Sequence, residues 1–209
     1  MTDISKTGEL QIITGSMCSG KSTELLRRGM RYTYSNKKVL CINHKFDTRN
    51  KGYFSTHNKL YKSKNIKINN LNFVSACKLS ELINDESSIN LDDYDVLCID
   101  EGQFFPDLKE QVTYLVEIMG KIVLLSGLTN DFKRKKFGQI LDLEPIANSF
   151  TKLSALCKYC SDNKKMVDAI FSHRTVKETE INVGEQIKVG GIEQYVPLCR
   201  TCYLNANKI

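Results

Sequence analysis

The chain has 209 residues, of which 41% are hydrophobic and 26% are charged, a composition that excludes an intrinsically disordered protein. Basic residues outnumber acidic ones by 21 to 18 up to residue 150 and by 9 to 6 after it, so the net charge of +6 includes no basic tail and we expect no nucleic-acid partner. The apolar runs are far shorter than the roughly 18 residues of a membrane-spanning helix, and the first nine residues are polar, so we expect neither a membrane partner nor a signal peptide.

Residues 1–150 alternate between short apolar runs and helical patterns, as α/β proteins do. Four nearly continuous apolar runs predict buried strands, at residues 10–14, 39–43, 96–100 and 121–127. Three further stretches predict helices, at residues 21–34, 106–119 and 138–147. Residues 44–72 are rich in Lys, Asn and Ser and predict a long hairpin or a mobile excursion. We therefore expect an α/β domain over residues 1–150 and a cysteine-rich domain over residues 151–209.

A phosphate-binding motif lies between the first predicted strand and the first predicted helix. Its eight residues match G-x-x-x-x-G-K-[ST] in full and are Gly15, Ser16, Met17, Cys18, Ser19, Gly20, Lys21 and Ser22. Glycines let the backbone N–H groups of such a loop point at phosphate oxygens, and the helix N-terminus adds partial positive charge. We expect Lys21 to reach the β- and γ-phosphates and Ser22 to offer its hydroxyl to Mg²⁺.

Two adjacent carboxylates, Asp100 and Glu101, follow the predicted strand at residues 96–100. Ligands of open parallel sheets bind at the carboxyl ends of the strands, so this pair is expected near the phosphate loop. Asp100 suits the metal side of the site, and Glu101 suits a general base. The base would activate water in an ATPase and a substrate hydroxyl in a kinase, and the residues themselves leave both open.

The eight cysteines fall into two groups. Four are single (Cys18, Cys41, Cys77 and Cys98), and four form the pairs Cys157-x2-Cys160 and Cys199-x2-Cys202, separated by 38 residues. Two such pairs favour a tetrahedral Zn²⁺ site with no open position, which is structural rather than catalytic. The metal would close the 38-residue connection into a loop able to reach the active site.

Charge is also segregated within the first part of the chain. Residues 31–80 contain 11 basic residues and one acid, whereas residues 81–110 contain ten acids and one lysine. The two stretches are interpreted either as solvated surface, or as a basic surface that steers phosphorylated ligands or lies inside an oligomer.

Taken together, these motifs resemble those of the type II thymidine kinases, the cytosolic and poxviral-type family that phosphorylates deoxythymidine. The resemblance covers most of the chain and rests on several motifs in order: residues 15–28, residues 47–49 (Asp-Thr-Arg), residues 100–105 (Asp-Glu-Gly-Gln-Phe-Phe), residues 132–138 and residues 189–203. It implies a P-loop NTPase-type parallel sheet flanked by helices, and a small C-terminal zinc-binding domain. That domain would carry a lasso loop, residues 171–197, that closes over the nucleoside.

The resemblance also implies ligands and partners. ATP with Mg²⁺ would be the phosphate donor, deoxythymidine the acceptor with deoxyuridine as a second one, and dTTP a feedback inhibitor. A homotetramer is expected. We expect a cytoplasmic protein because targeting signals are missing and the zinc site requires reduced cysteines.

Individual site residues follow from the same resemblance. Glu101 would take the proton of the 5'-hydroxyl, with Lys21 and Asp100 as the other catalytic residues. The ATP and Mg²⁺ site would gain, beyond the phosphate loop and the acidic pair, Asp47, Thr48, Arg49, Gly102 and Gln103. The nucleoside site would be formed by Met17, Phe104, Leu128, Phe132, Ile187, Val189, Gly190 and Tyr195.

Two other classes of protein share part of these features. A DNA-stimulated P-loop ATPase of the recombinase type would have a similar loop and acidic pair, and would need residues 31–80 as its DNA-binding surface. A zinc-ribbon nucleic-acid binder with a vestigial nucleotide site would show salt-sensitive DNA binding.

Overall fold

A single six-stranded sheet organises the chain in the computed structural model, which describes residues 7–46, 69–83, 89–175 and 194–209. The strands are β1 (Glu9–Gly15), β2 (Val39–His44), β3 (Leu71–Ala76), β4 (Val96–Ile99), β5 (Ile122–Gly127) and β6 (Ser149–Leu153). Their order in the sheet is β3-β2-β4-β5-β1-β6, and every neighbouring pair is parallel. The predicted α/β fold with a parallel sheet is confirmed, and β1 and β4 lie on either side of β5.

In the described part of the chain, helices lie between β1 and β2, between β3 and β4, between β4 and β5 and between β5 and β6. They are α1 (Lys21–Thr33), α2 (Ser80–Ile83) and α3 (Leu108–Thr113), which continues as a π-helix over Tyr114–Ile118. Shorter 3-10 helices cover Leu91–Asp93, Gly102–Phe104 and Ile140–Ile146. In the described parts of the chain, no helix combines the length and the apolar character needed to cross a membrane.

The helix predicted at residues 138–147 forms as the 3-10 helix Ile140–Ile146 instead of an α-helix. Pro145 lies inside it, lacks an N–H group and disfavours a regular α-helix. Short 3-10 segments are a common form for a connection of this kind.

The four strands predicted from apolar runs are all present, whereas β3 and β6 were not predicted. Among the strands that the structure describes, both lie at the edges of the sheet and have one neighbour each. An edge strand needs fewer apolar side chains, and the exposure along β3 and β6 varies from residue to residue. Strand β6 crosses residue 150. The division into a domain over residues 1–150 and one over residues 151–209 stays a prediction.

The sheet separates two apolar cores. Along β1 and β2 successive side chains point to opposite faces, so that Leu10, Ile12 and Leu40 enter one core and Ile13 and Cys41 enter the other. Helix α3 packs in the first core and α1 in the second. Full burial of one such aliphatic side chain contributes about 1.5–3 kcal/mol, so both faces hold the sheet in place.

A third, smaller core lies in the C-terminal segment. Its elements are β7 (Ala155–Leu156), α4 (Lys158–Ser161), β8 (Asp168–Ala169), β9 (Phe171–Arg174), β10 (Tyr195–Leu198) and α5 (Arg200–Asn207). Strands β7 and β8 form one antiparallel pair, and β9 and β10 form another. Cys157 and Cys199 are among the buried residues of this core, and Cys18 of the phosphate loop packs against it.

Candidate active site

The phosphate loop connects the end of β1 with the start of α1, as its sequence predicts. Gly15 has φ +147°, and a Cβ atom there would lie 2.4 Å from the carbonyl oxygen of Leu153. Gly20 precedes α1 with φ +86°, in the left-handed region that glycine adopts at little cost. The two glycines of the motif are therefore required by the backbone itself.

The loop offers the groups that an anion needs. The residue that precedes α1, Gly20, has no side chain that could cap the helix, so the first N–H groups keep their capacity for a phosphate. The ammonium group of Lys21 is buried and donates to the carbonyl oxygens of Gly15 at 3.2 Å and Ser16 at 2.9 Å. The hydroxyl of Ser19 is buried without a hydrogen-bond partner among the described residues. This donor set fits a phosphate group.

Asp100 follows β4 and is brought against the phosphate loop. Its carboxylate accepts hydrogen bonds from the hydroxyls of Ser126 and Ser22 and, at 3.0 Å, from the backbone N–H of Glu101. Burial is the larger cause, and the negative charge of Glu101 the second, that together raise the pKa of Asp100 to about 6. The hydrogen bonds to its carboxylate act in the opposite direction and lower the pKa. A buried carboxylate beside the Ser22 hydroxyl is a pair of oxygen ligands suited to Mg²⁺.

Glu101 occupies a strained turn after Asp100. Its φ of 53° and ψ of 42° are left-handed, a conformation that a non-glycine residue holds only when its surroundings impose it. The amide nitrogen of Gln103 donates to the Glu101 carboxylate at 2.6 Å, while the Gln103 carbonyl oxygen accepts the backbone N–H of Leu128 at 2.8 Å. A Cβ atom on Gly127 would lie 2.4 Å from that oxygen, so glycine is needed for the approach. Gln103 thereby orients the carboxylate of Glu101.

Two of the predicted nucleoside residues, Phe132 and Tyr195, come together. Their ring centroids are 6.4 Å apart, and the guanidinium of Arg174 lies 5.0 Å from the ring centroid of Phe132 and 5.8 Å from that of Tyr195. The hydroxyl of Tyr203 in α5 donates to the carbonyl oxygen of Phe132 at 2.6 Å. The C-terminal segment therefore holds the loop that carries Phe132.

Phe104 belongs to a different aromatic group. Its ring lies 5.7 Å from that of Phe137 and 5.7 Å from that of His44. His44 is buried at the end of β2 and contacts the carbonyl oxygen of Cys77 at 3.0 Å, and its burial lowers its pKa.

A cavity of about 230 Å³ adjoins the phosphate loop. Its lining includes Ser16, Leu128, Asp131, Arg134 and Ser172. Of the predicted nucleoside residues, Leu128 lines this cavity.

Six predicted site residues lie outside the described residues: Asp47, Thr48, Arg49, Ile187, Val189 and Gly190. The same holds for most of the predicted lasso and of the excursion predicted over residues 44–72.

The four paired cysteines converge as predicted. Their sulfur atoms all lie within 4.8 Å of one another, and those of Cys199 and Cys202 lie 3.9 and 3.7 Å from that of Cys160. Four Zn–S bonds of about 2.3 Å in a tetrahedron require sulfur atoms about 3.8 Å apart. The donor set therefore fits a structural metal ion such as Zn²⁺.

Hydrogen bonding within this centre favours a thiolate at Cys157. Burial opposes its ionisation, but hydrogen bonds from the backbone N–H groups of Cys199 and Cys160 and from neighbouring thiols lower the pKa of Cys157 to about 7. Burial and the neighbouring thiols raise the pKa of Cys202 to about 12. Because the four thiols lie close together, ionisation of one of them opposes ionisation of the others, and a bound cation would remove this opposition.

Three residues of the site were not predicted from the sequence. Ser126 had a recognisable signal, because it is a polar residue near the carboxyl end of the otherwise apolar strand β5. His44 and Ser172 had none, since their partners are distant in the chain. Only the fold brings them to the site.

The fold and the site together define a P-loop nucleotide-binding protein of the α/β class, with a cluster of four cysteines that could hold a structural metal ion. Residues 8–203 match the family model described as thymidine kinase. The chain belongs to the thymidine kinase family.

Individual relatives agree with this assignment. The chain is 38% identical over 200 residues to the cytosolic thymidine kinase of Bos taurus, covering 95% of this chain and 74% of the relative. It is 37% identical over 199 residues to the thymidine kinase of Variola virus, covering 95% and 98% of the two chains. It is 36% identical over 202 residues to thymidine kinase 1 of Dictyostelium discoideum, covering 94% and 78%.

Proposed function

We propose that the protein transfers the γ-phosphate of ATP to the 5'-hydroxyl of deoxythymidine, giving dTMP and ADP for nucleotide salvage, with deoxyuridine as a second acceptor. One observation carries the proposal: in a member of the thymidine kinase family, Ser22 of the phosphate loop contacts the buried carboxylate of Asp100, and Glu101 follows directly. The donor site and the base thus lie at the carboxyl ends of β1 and β4, the two strands on either side of β5.

Glu101 acts as the general base. As its carboxylate takes the proton of the 5'-hydroxyl, that oxygen forms a bond to the γ-phosphorus, and the bond from phosphorus to the β,γ-bridging oxygen breaks. The bridging oxygen leaves as part of ADP. Gln103 holds the carboxylate in the orientation that receives the proton.

The phosphate loop binds and neutralises the donor. Lys21 moves its ammonium group from the carbonyl oxygens of Gly15 and Ser16 to the β- and γ-phosphates. Ser22 and Asp100 hold Mg²⁺, which, when bound, supplies positive charge to the phosphate oxygens. The remaining residues assigned to this site are Asp47, Thr48, Arg49, Gly102 and Gln103.

The acceptor lies against the aromatic residues. Phe132 and Tyr195, which share the Arg174 guanidinium, form one wall. Met17, Phe104 and Leu128 contribute the others, and Ile187, Val189 and Gly190 of the lasso close over the base. Closure excludes water from the reacting phosphate and so favours transfer over hydrolysis.

Zn²⁺ is the metal proposed for the four cysteines, as the structural centre of a C-terminal domain over residues 151–209. Convergence of four sulfur atoms at tetrahedral spacing supports it.

The assembly, regulation and location are further parts of this proposal. A homotetramer inhibited by dTTP, which would place its phosphates in the same loop, is proposed for this chain. A cytoplasmic location is proposed because the bovine relative is named cytosolic and thiolate metal centres persist in a reducing compartment.

The direct test is transfer of labelled γ-phosphate from Mg²⁺-ATP to thymidine, deoxyuridine, deoxycytidine, deoxyadenosine and deoxyguanosine, with a lane lacking nucleoside and a lane with DNA alone. Labelled dTMP as the main product is expected. Phosphate release that DNA stimulates, without a nucleotide product, would instead support the recombinase-type ATPase, for which the family match provides no support.

A further inference from the structure

We propose that Ser16 and Ser172 are positioning residues that couple the cysteine metal centre to the phosphate loop, so that metal bound at the four cysteines raises the affinity of the loop for ATP. The inference rests on the proposed binding of ATP by this loop. It does not depend on which nucleoside accepts the phosphate.

Two hydrogen bonds tie the start of the phosphate loop to the C-terminal segment. The hydroxyl of Ser16 donates to the carbonyl oxygen of Ala169 at 3.0 Å, and the backbone N–H of Met17 donates to the hydroxyl of Ser172 at 3.0 Å. Ser16 is 4% and Ser172 8% exposed, so water has little access to replace either bond. Cys18, the next residue of the loop, packs against the apolar core of the same segment.

The hydrogen bond between Ser16 and Ala169 is connected through β8 and β7 to Cys157 of the first cysteine pair. Ala169 belongs to β8, where it pairs with Ala155 of β7, and β7 ends one residue before Cys157. The backbone N–H of Cys157 donates to the carbonyl oxygen of Val167 at 2.8 Å, just before β8. A metal bound at Cys157 therefore fixes the strand pair that presents the Ala169 carbonyl to the phosphate loop.

The hydrogen bond between Met17 and Ser172 is connected through β9 to Cys199 and Cys202 of the second cysteine pair. Phe171, the neighbour of Ser172 in β9, pairs with Leu198 of β10, and Cys199 follows Leu198 directly. The ring of Phe171 also packs 4.8 Å from that of Tyr203, which follows Cys202 in α5. Cys199 and Cys202 are thus each adjacent in the chain to a residue that contacts Phe171 of β9.

Metal binding matters for these contacts because the described residues of the segment form only a small apolar core. That core includes two of the cysteine ligands themselves. Without metal, the strand pairs lose their cross-link, and the partners of Ser16 and Met17 lose their defined positions. A neutral buried hydrogen bond of this kind corresponds to roughly 3- to 10-fold in affinity when the bonded geometry is needed for binding.

The test is a thermodynamic cycle on the full chain. Calorimetry measures the Kd of a non-hydrolysable ATP analogue with Mg²⁺, for protein loaded with Zn²⁺ and for protein stripped by a zinc-selective chelator, in wild type, Ser16→Ala, Ser172→Ala and the double variant. Ser172→Thr keeps the hydroxyl, and Ser154→Ala removes an exposed serine between β6 and β7. Hydrogen exchange of residues 15–20 reports on the loop independently of binding.

We expect zinc removal to weaken binding of the analogue about 3- to 10-fold in wild type, Ser154→Ala and Ser172→Thr, and to accelerate exchange in the loop. In the double variant, the zinc-loaded protein should already bind weakly and exchange fast, and zinc removal should add little. Reciprocity requires the analogue to raise the equilibrium affinity for zinc by the same factor.

Different failures overturn different claims. If the zinc-loaded wild type does not bind the analogue, the proposed ATP site is wrong and the coupling falls with it. If it binds the analogue equally well with and without zinc, or if zinc removal has the same effect in the double variant as in wild type, the coupling through Ser16 and Ser172 is wrong while the proposed function stands.

Discussion

The side-chain amide of Gln103 donates to the carboxylate of Glu101 at 2.6 Å, and its other end accepts the backbone N–H of Leu128. The proposed base is therefore not a free carboxylate at a loop tip, because a buried glutamine connects it to the end of β5. That connection separates two effects that mutations can test, the presence of the carboxylate and its orientation.

Removal of the carboxylate should abolish most of the turnover. Glu101→Gln keeps the size of the side chain but cannot accept the 5'-hydroxyl proton, so kcat should fall by roughly 10²- to 10⁴-fold. Binding of Mg²⁺-ATP should persist, since Lys21 and the phosphate loop are unchanged. Steady-state kinetics with an ATP-binding assay provide the measurement, and the exposed Glu117→Gln is the control. Retained turnover in Glu101→Gln would remove Glu101 from this role.

Removal of the orienting contact should have a smaller effect. Gln103→Leu leaves the carboxylate in place but without its hydrogen bond, so we expect kcat to fall by about 10-fold in steady-state kinetics. A loss as large as that of Glu101→Gln would mean that Gln103 does more than orient the base.

The metal centre should hold one Zn²⁺ per chain. Cys157→Ser removes one of four ligands and should lower both the metal content and the thermal midpoint, because metal binding energy contributes to folding. Cys77→Ser, outside the cluster, is the matched control and should leave the metal content unchanged. Metal analysis and thermal unfolding make the measurement, and a purified wild type without zinc would reject this assignment.

Loss of the hydrogen bond from Tyr203 to the carbonyl oxygen of Phe132 should weaken the binding of thymidine more than the binding of ATP. Tyr203→Phe releases the loop that carries Phe132, so we expect the KM for thymidine to rise about 3- to 10-fold while the KM for ATP stays the same. Tyr159→Phe, an exposed tyrosine of α4, should change neither constant. Equal changes in both KM values would point to a general loss of folding.

Acid stability should depend on Glu24 in α1. The hydrogen bond from Arg27, at 2.6 Å, and that from Arg28, at 2.8 Å, outweigh partial burial and lower the pKa of Glu24 from 4.5 to about 2. Because the pKa is depressed in the folded state, the stabilisation is full above pH 4.5 and is lost as the pH falls towards 2. Glu24→Gln should therefore be less stable at pH 7, by about 0.5–1 kcal/mol for a pair partly screened by solvent.

Denaturant unfolding between pH 7 and pH 3 tests this pair. The difference in free energy of unfolding between wild type and Glu24→Gln should shrink towards low pH and in high salt. Glu110→Gln, an exposed carboxylate of α3, should follow the wild type throughout. A difference that stays constant with pH would assign the effect of Glu24→Gln to packing.

Sequence by itself determined the parts of this protein that follow from local chemistry. A strand buried on both faces must be continuously apolar, which is why β1, β2, β4 and β5 were predicted while the edge strands β3 and β6 were not. The phosphate loop could also be predicted from the sequence, because its glycines, lysine and serine act at neighbouring positions. The convergence of the four cysteines could be predicted because a tetrahedral metal site restricts the spacing of its ligands.

Tertiary structure decided which distant residues meet. Ser126 reaches Asp100 because β5 lies next to β4, and Ser172 reaches Met17 because β9 folds back onto the phosphate loop. A single hydroxyl carries no local pattern that reveals its partner, since a hydrogen bond depends on position in space and not on separation along the chain. The coupling proposed between the four cysteines and the phosphate loop therefore depends on contacts that only the fold creates.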